Sequence, residues 1–236
     1  MTSINESAVL PTEDPSGIAE VLVITRRQAN VGLLSAASMA LAGNASDAKT
    51  LRLPPPRAGG GKPLLEALRL RRSTRVFSDR PLGAQVLSDL LWSAYGINRP
   101  TGDRTAPYWR HVMVIDVFAV MANGTWLYDP TLHALVLQHD EDLRAKTGLQ
   151  DFVGGAPLNL VYVAHGERMQ DIPAEDRHLY ASADACFIGQ NVYLFCASEG
   201  LATVFRGALD HKALANAMRL GTDQFVTFAQ TVGYQG

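Results

Sequence analysis

The apolar positions of the chain fall into separable periods. Behind Pro63, which suits the first position of a helix, Leu64, Leu65 and Leu68 predict a short helix over 63–70. Val86, Leu87, Leu90, Leu91 and Ala94 recur at helical spacing and predict a second helix over 83–95, with Gly96 as its stop. Residues 97–109 keep no period and carry Pro100, Gly102 and Pro107, the composition of a loop. Residues 111–120 are rich in β-branched and apolar side chains and predict a strand. Asn123-Gly124 is a hairpin turn signal, with returning strands over 125–128 and 134–138. Residues 140–147 read as a short helix with acidic side chains in its first turn and Gly148 at its end. The run 158–164 is almost continuously apolar, as in a strand covered on both faces. Residues 176–200 form the longest helical pattern, apolar on nearly every side and so expected to be buried centrally. A strand over 202–205, a helix over 209–220 capped by Asp210, and a strand over 225–232 complete the chain. Hairpin strands mixed with separate helices indicate an α+β class.

The N-terminal segment lies outside this pattern. Residues 1–50 begin polar and then carry Arg26-Arg27 ahead of an apolar run over 31–43 that is too short to span a bilayer. This resembles a twin-arginine export signal with Ala40-Leu41-Ala42 as a cleavage site, which would make the mature protein periplasmic. An amphipathic N-terminal helix on a cytoplasmic protein is the alternative. Residues 51–62, with Pro54-Pro55-Pro56 and Gly59-Gly60-Gly61, read as a linker, and 63–236 as the folded domain. Lys62 is followed by proline, so the glycines are not a phosphate-binding P-loop.

A formal charge of −2 gives no reason to expect nucleic-acid binding. Cys186 and Cys196, if on one helix, stand about 15 Å apart along its axis, too far for a disulfide. The six histidines show no metal-ligand spacing. Neither a Gly-x-Ser-x-Gly elbow nor a Gly-x-Gly-x-x-Gly fingerprint is present, which argues against an α/β-hydrolase and a Rossmann-bound dinucleotide.

The chemistry concentrates in Arg71-Arg72-Ser73-Thr74-Arg75-Val76-Phe77. Three planar, permanently charged guanidinium groups with two short hydroxyls make an anion seat, though a solvated basic turn has the same composition. Together with Leu91-Trp92-Ser93-Ala94-Tyr95-Gly96, Arg104-Thr105-Ala106-Pro107, the stretch from Ala183-Asp184 to Glu199-Gly200, and Ala229-Gln230-Thr231-Val232-Gly233-Tyr234, this cluster resembles the nitroreductase family of flavin oxidoreductases over roughly 51–236. The likeness is greatest to its SagB-like, thiazoline-oxidase-type branch.

The resemblance implies a three-layer sandwich with a central mixed sheet flanked by helices, an intertwined homodimer, and FMN at the interface of the two chains. It assigns Arg71, Arg72, Ser73 and Arg75 to the phosphate, ribityl chain and pyrimidine end of FMN. It places the donor to flavin N5 in backbone near Arg206 and Gly207, where a glycine allows close approach and also suits a plain turn. Gln190 and Asn191 face the cofactor or partner, or else cap neighbouring backbone.

Two departures stand out. Where the branch has a small residue, an asparagine and a glutamine after Arg-Thr-Ala-Pro, this chain has Tyr108, Trp109, His111 and Met113. The aromatics would wall the substrate pocket, and His111 could donate to the ring whereas Met113 cannot. The basic residue expected beyond Gly233-Tyr234 is replaced by Gln235-Gly236. The expected function is an FMN-dependent oxidoreductase that uses NAD(P)H as transient reductant and passes hydride to or from a small organic substrate. The alternative is a non-catalytic flavin- or partner-binding protein on the same scaffold.

Overall fold

The computed structural model describes residues 49–57 and 59–236. The twin-arginine-like segment lies outside the described residues. Seven strands, β1 (Thr50–Arg52), β2 (Ile115–Met121), β3 (Gly124–Asp129), β4 (Ala134–His139), β5 (Leu158–His165), β6 (Leu201–Arg206) and β7 (Gln224–Tyr234), form one sheet in the order β1-β4-β3-β2-β5-β7-β6. Five helices accompany it: α1 (Leu64–Leu70), α2 (Ala84–Tyr95), α3 (Phe152–Gly155), α4 (Ala174–Glu199) and α5 (His211–Ala217).

Every neighbouring pair of strands is antiparallel, which corrects the expectation of a mixed sheet. The physical reason lies in the crossover from β5 through α4 to β6. It leaves a gap one strand wide, and β7 fills that gap running opposite to both neighbours.

Alternation along the strands sends side chains to two cores. Val117, Ala119, Leu160 and Tyr162 face α2 and α4, where Leu87, Leu90, Leu91, Ala185, Ile188 and Val192 meet them. Phe118, Val120, Val161 and Val163 face the other way, onto Leu209, Leu214 and Met218 at and around α5. The sheet therefore sits between helical layers, as the α+β sandwich requires. Asp210 caps α5 by accepting from the Ala213 N–H at 2.9 Å.

Several boundaries differ from the sequence reading. Residues 51–62 are more than a linker: Thr50–Arg52 pairs with β4, Leu53 is buried, and Arg57 bonds Asp89 and Glu199. The strand expected from 111 begins at Ile115, because Trp109–His111 is a 3-10 turn with Arg110 and His111 at φ 45° and 59°. The helix expected over 140–147 is a single 3-10 turn, Arg144–Lys146. There the Asp142 carboxylate bonds the Arg144 backbone N–H and its guanidinium, which stabilises a turn in competition with a helix. Helix α4 is not buried all round. Ala181, Ala185, Ile188, Val192 and Cys196 form its inner stripe, while Leu179, Tyr180 and Phe187 stay exposed on its outer side.

Candidate functional site

Strand β6 is an edge strand, so one side of its backbone has no strand partner. The arginine stretch fills that side. The Thr74 N–H donates to the Thr203 carbonyl at 2.9 Å, and farther on Phe77 bridges Gln235. Tyr193 of α4 ties the two together. Its hydroxyl accepts from the Phe205 N–H at 2.9 Å and lies 2.7 Å from Ser73 Oγ. The Arg71 guanidinium covers the Tyr193 ring, 5.2 Å from its centroid. Arg71, Ser73 and the end of β6, which leads into Gly207, are thus gathered on one edge of the sheet. Gly207 is exposed, and a Cβ added there would meet only the Phe228 ring, at 3.5 Å. Nothing in the chain itself demands a glycine at that position.

Among the described residues, Arg71, Arg72 and Arg75 have no carboxylate partner. Beside them lies a small pocket of about 160 Å³, lined by Arg72, Thr74, Tyr193, Thr203, Gln235 and Lys62. Lys62 also meets Glu66 at 3.5 Å. The unpaired Arg72 guanidinium at a polar pocket of phosphate size, with Arg71 and Arg75 on the same stretch, suits the phosphate of a flavin mononucleotide.

Arg206 does not join this edge. It is 4% exposed and turned beneath the sheet, where Nε donates to Thr231 Oγ1 at 3.1 Å, Nη1 to the Thr147 carbonyl at 2.7 Å and Nη2 to Asn159 Oδ1 at 3.0 Å. Burial lowers its pKa to about 10. Strand alternation sends Phe205 to one face and Arg206 to the other, so the Arg206 side chain does not reach this edge, and the backbone of the bend, where the resemblance puts the donor, is what a ligand could meet.

Tyr108, Trp109 and His111 lie in the turn before β2, which meets α4 elsewhere, through Trp109. The Trp109 N–H donates to Asp184 Oδ2 at 3.0 Å, and the indole packs on Tyr180 at 5.7 Å between centroids. Tyr108 donates to Asp103 at 2.6 Å and meets Tyr95 edge-on. The His111 side chain is 87% exposed, with Nδ1 3.5 Å from Asp103. Asp184 and Tyr193 are nine residues apart on one helix, about 13 Å along its axis. Within one chain this aromatic loop therefore lies away from the arginine edge. Asn191 lines a separate cleft of about 470 Å³ between α1, α2 and α4, and Gln190 is exposed.

Sequence reasoning passed over Asp184, Tyr193 and Arg104. Asp184 is 3% exposed, and burial raises its carboxyl to about 6 against the opposing pull of the Trp109 N–H. A carboxylate in the otherwise apolar inner stripe of α4 was its signal. Arg104, 8% exposed, stacks on Tyr95 at 5.4 Å and donates to Met113 Sδ at 2.9 Å. It therefore engages the Met113 side chain. Hydrogen bonds from Thr101 and Tyr108 hold Asp103 down to about 2, against some desolvation.

Among the described residues no group of His, Cys, Asp and Glu could hold a metal ion, and no helix is long and apolar enough to cross a membrane. The model of the nitroreductase family matches residues 68–234. A candidate nitroreductase of Methanocaldococcus jannaschii, MJ1384, is 30% identical over 168 residues, which is 66% of this chain and 84% of that protein. The crystal structure of a candidate nitroreductase from Ralstonia eutropha JMP134 is 43% identical, with a TM-score of 0.77, over 82% of this chain and 93% of that one. A chain of the E. coli microcin synthetase McbBCD complex with truncated pro-MccB17 shares the fold alone, at 18% identity and TM-score 0.61 over 76% of this chain and 77% of that one. With this family match over most of its described length, and the fold to go with it, the chain belongs to the nitroreductase family.

Proposed function

We propose that this chain is an FMN-dependent oxidoreductase, reduced by NAD(P)H and acting on a small organic substrate. The observation that carries the reading is the set of unpaired guanidinium groups of Arg71, Arg72 and Arg75 along the β6 edge that ends at Gly207. Arg72 and Lys62 would hold the phosphate in the small pocket. Arg71, flattened on Tyr193, and Arg75 would oppose negative charge at the pyrimidine end. Ser73 is pinned by Tyr193 and keeps the stretch in register with β6. The backbone at Gly207 would offer the close donor. Bound FMN supplies hydride acceptance and donation at N5, so no side chain need act as acid or base.

The substrate side of this reading needs a second copy of the chain. Leu64, Leu65 and Leu68 on α1 and Leu179, Tyr180 and Phe187 on α4 are exposed apolar side chains that a second copy would cover. In a homodimer built on these helices, Tyr108, Trp109 and His111 of one protomer would wall the arginine edge of its partner. Membership of the SagB-like branch is supported by the five segments in order, and export by Arg26-Arg27 ahead of the apolar run.

The test is spectroscopic. Purified or FMN-reconstituted protein is expected to be yellow, to release FMN on denaturation, and to bleach anaerobically with NADH or NADPH. Absence of any flavin after reconstitution ends the reading. Flavin that binds but does not bleach favours the second reading, a non-catalytic flavin-binding protein. Its motive is Tyr108 and Trp109 in place of smaller residues and Met113 engaged by Arg104.

A further inference from the structure

A cavity of about 420 Å³ opens at the N-terminal end of α2, between β1, the β2–β3 turn and the start of β5. It shares no residue with the arginine edge or its pocket. Its walls are apolar: Leu51, Leu53, Leu82, Leu87, Met121 and Leu158. Leu53, Leu87 and Leu158 belong to the main core, so the cavity continues that core outward with no side chain of the described residues filling it. Empty apolar space forfeits dispersion contacts and costs stability in proportion to its volume, so an apolar occupant is favoured. The volume lies in the ~300–1,000 Å³ range of small-molecule sites.

The charged groups of the lining define the head of that occupant. Arg144 is already matched, its Nη2 2.8 Å from Asp142. Arg52 is exposed, and its guanidinium has neither an ion pair nor a hydrogen bond among the described residues. Asp79, the one carboxylate of the lining, does not pair with it. With Arg144 neutralised by Asp142, Arg52 is the one cation of the lining left to meet an anion, and the field around it is positive. Helix α2, twelve residues long, begins at the same place with Gly83 as an N-cap that supplies no side-chain bond and no acidic residue in its first turn. Its positive end adds to the same field.

We propose that this cavity binds a small amphiphile, with its apolar body against the leucines and a single anionic head at Arg52. The probe is sub-micellar decanoate, titrated into the full-length protein by isothermal calorimetry, with 1-decanol as the control whose head is uncharged. One saturable equivalent per chain is expected. Ala84→Trp, which places an indole at the cavity from an exposed helix position, should lower affinity at least tenfold. Arg52→Gln should lower it about tenfold, to the level of decanol on the parent protein. Far-UV circular dichroism and the flavin content of both variants should match the parent. No saturable decanoate binding, binding indifferent to Ala84→Trp, or decanol binding as tightly as decanoate would each overturn the proposal. None of these results bears on whether flavin binds.

Discussion

The Tyr193 hydroxyl stands 2.7 Å from Ser73 Oγ while accepting the Phe205 N–H at 2.9 Å. Because the phenol already accepts from the backbone, its one proton is free for Ser73. A single side chain of α4 thereby registers the arginine stretch against the open edge of β6. Tyr193→Phe removes both bonds and leaves the Phe205 N–H without its partner. We expect a loss of roughly 1–2 kcal/mol in urea unfolding. FMN affinity should fall more than for Ser73→Ala, because Arg71 loses a fixed platform as well. Equal losses in the two variants would show that Tyr193 acts only through Ser73.

Arg206 anchors the opposite face. Its three donors reach the Thr147 carbonyl, Asn159 and Thr231, and they hold the loop before α3 onto the sheet. A Cβ on Gly148 would come 1.9 Å from Arg206 Nη1. Gly148→Ala must therefore displace a buried cation from its bonds, and it should destabilise the fold by roughly 2–4 kcal/mol. Calorimetric unfolding checks this. If Arg206→Met together with Gly148→Ala is no more stable than Gly148→Ala alone, the clash is not the cause.

The assembly prediction follows from the outer side of α4. Phe187 is 49% exposed and Leu65 79% exposed, so a charge at either position costs little in a single chain. In a dimer that buries them it would be an uncompensated buried charge. Phe187→Glu with Leu65→Glu should shift the protein from dimer to monomer in light scattering and release its flavin. A monomeric parent would remove the basis for a shared site.

What the sequence disclosed depended on whether the deciding interaction was local. Helix α2, strand β5 and the α5 cap follow from near-neighbour patterns and were legible. The 140–147 segment was misread because the Asp142–Arg144 bonds form between residues that look like good helix formers. Residues 112–114 have strand-like side chains, but the left-handed turn at Arg110 and His111 delays β2 until Ile115. The burial of the Arg206 side chain was legible in the alternation of Phe205 and Arg206, but its partners Thr147, Asn159 and Thr231 are far off in sequence and were not. The distance between the aromatic loop and the arginine edge was not legible, because it depends on how far each sits along α4.

Asp184 carries a pH prediction. Burial raises its carboxyl from 3.8 to about 6. The folded chain therefore holds this proton more tightly than the unfolded chain does. Between about pH 4 and pH 6 the folded state binds more protons, so this group's contribution makes stability fall as pH rises through that window. Above it, the fold carries an ionised carboxylate at a buried position near Tyr95, steadied by the Trp109 N–H. Asp184→Asn keeps an acceptor for that N–H and cannot ionise. It should gain roughly 1–3 kcal/mol over the parent at pH 7.5 and nothing at pH 4. Urea unfolding of both proteins at the two pH values decides it. A variant less stable than the parent at pH 7.5 would mean that the ionised carboxylate has a cationic partner beyond those among the described residues.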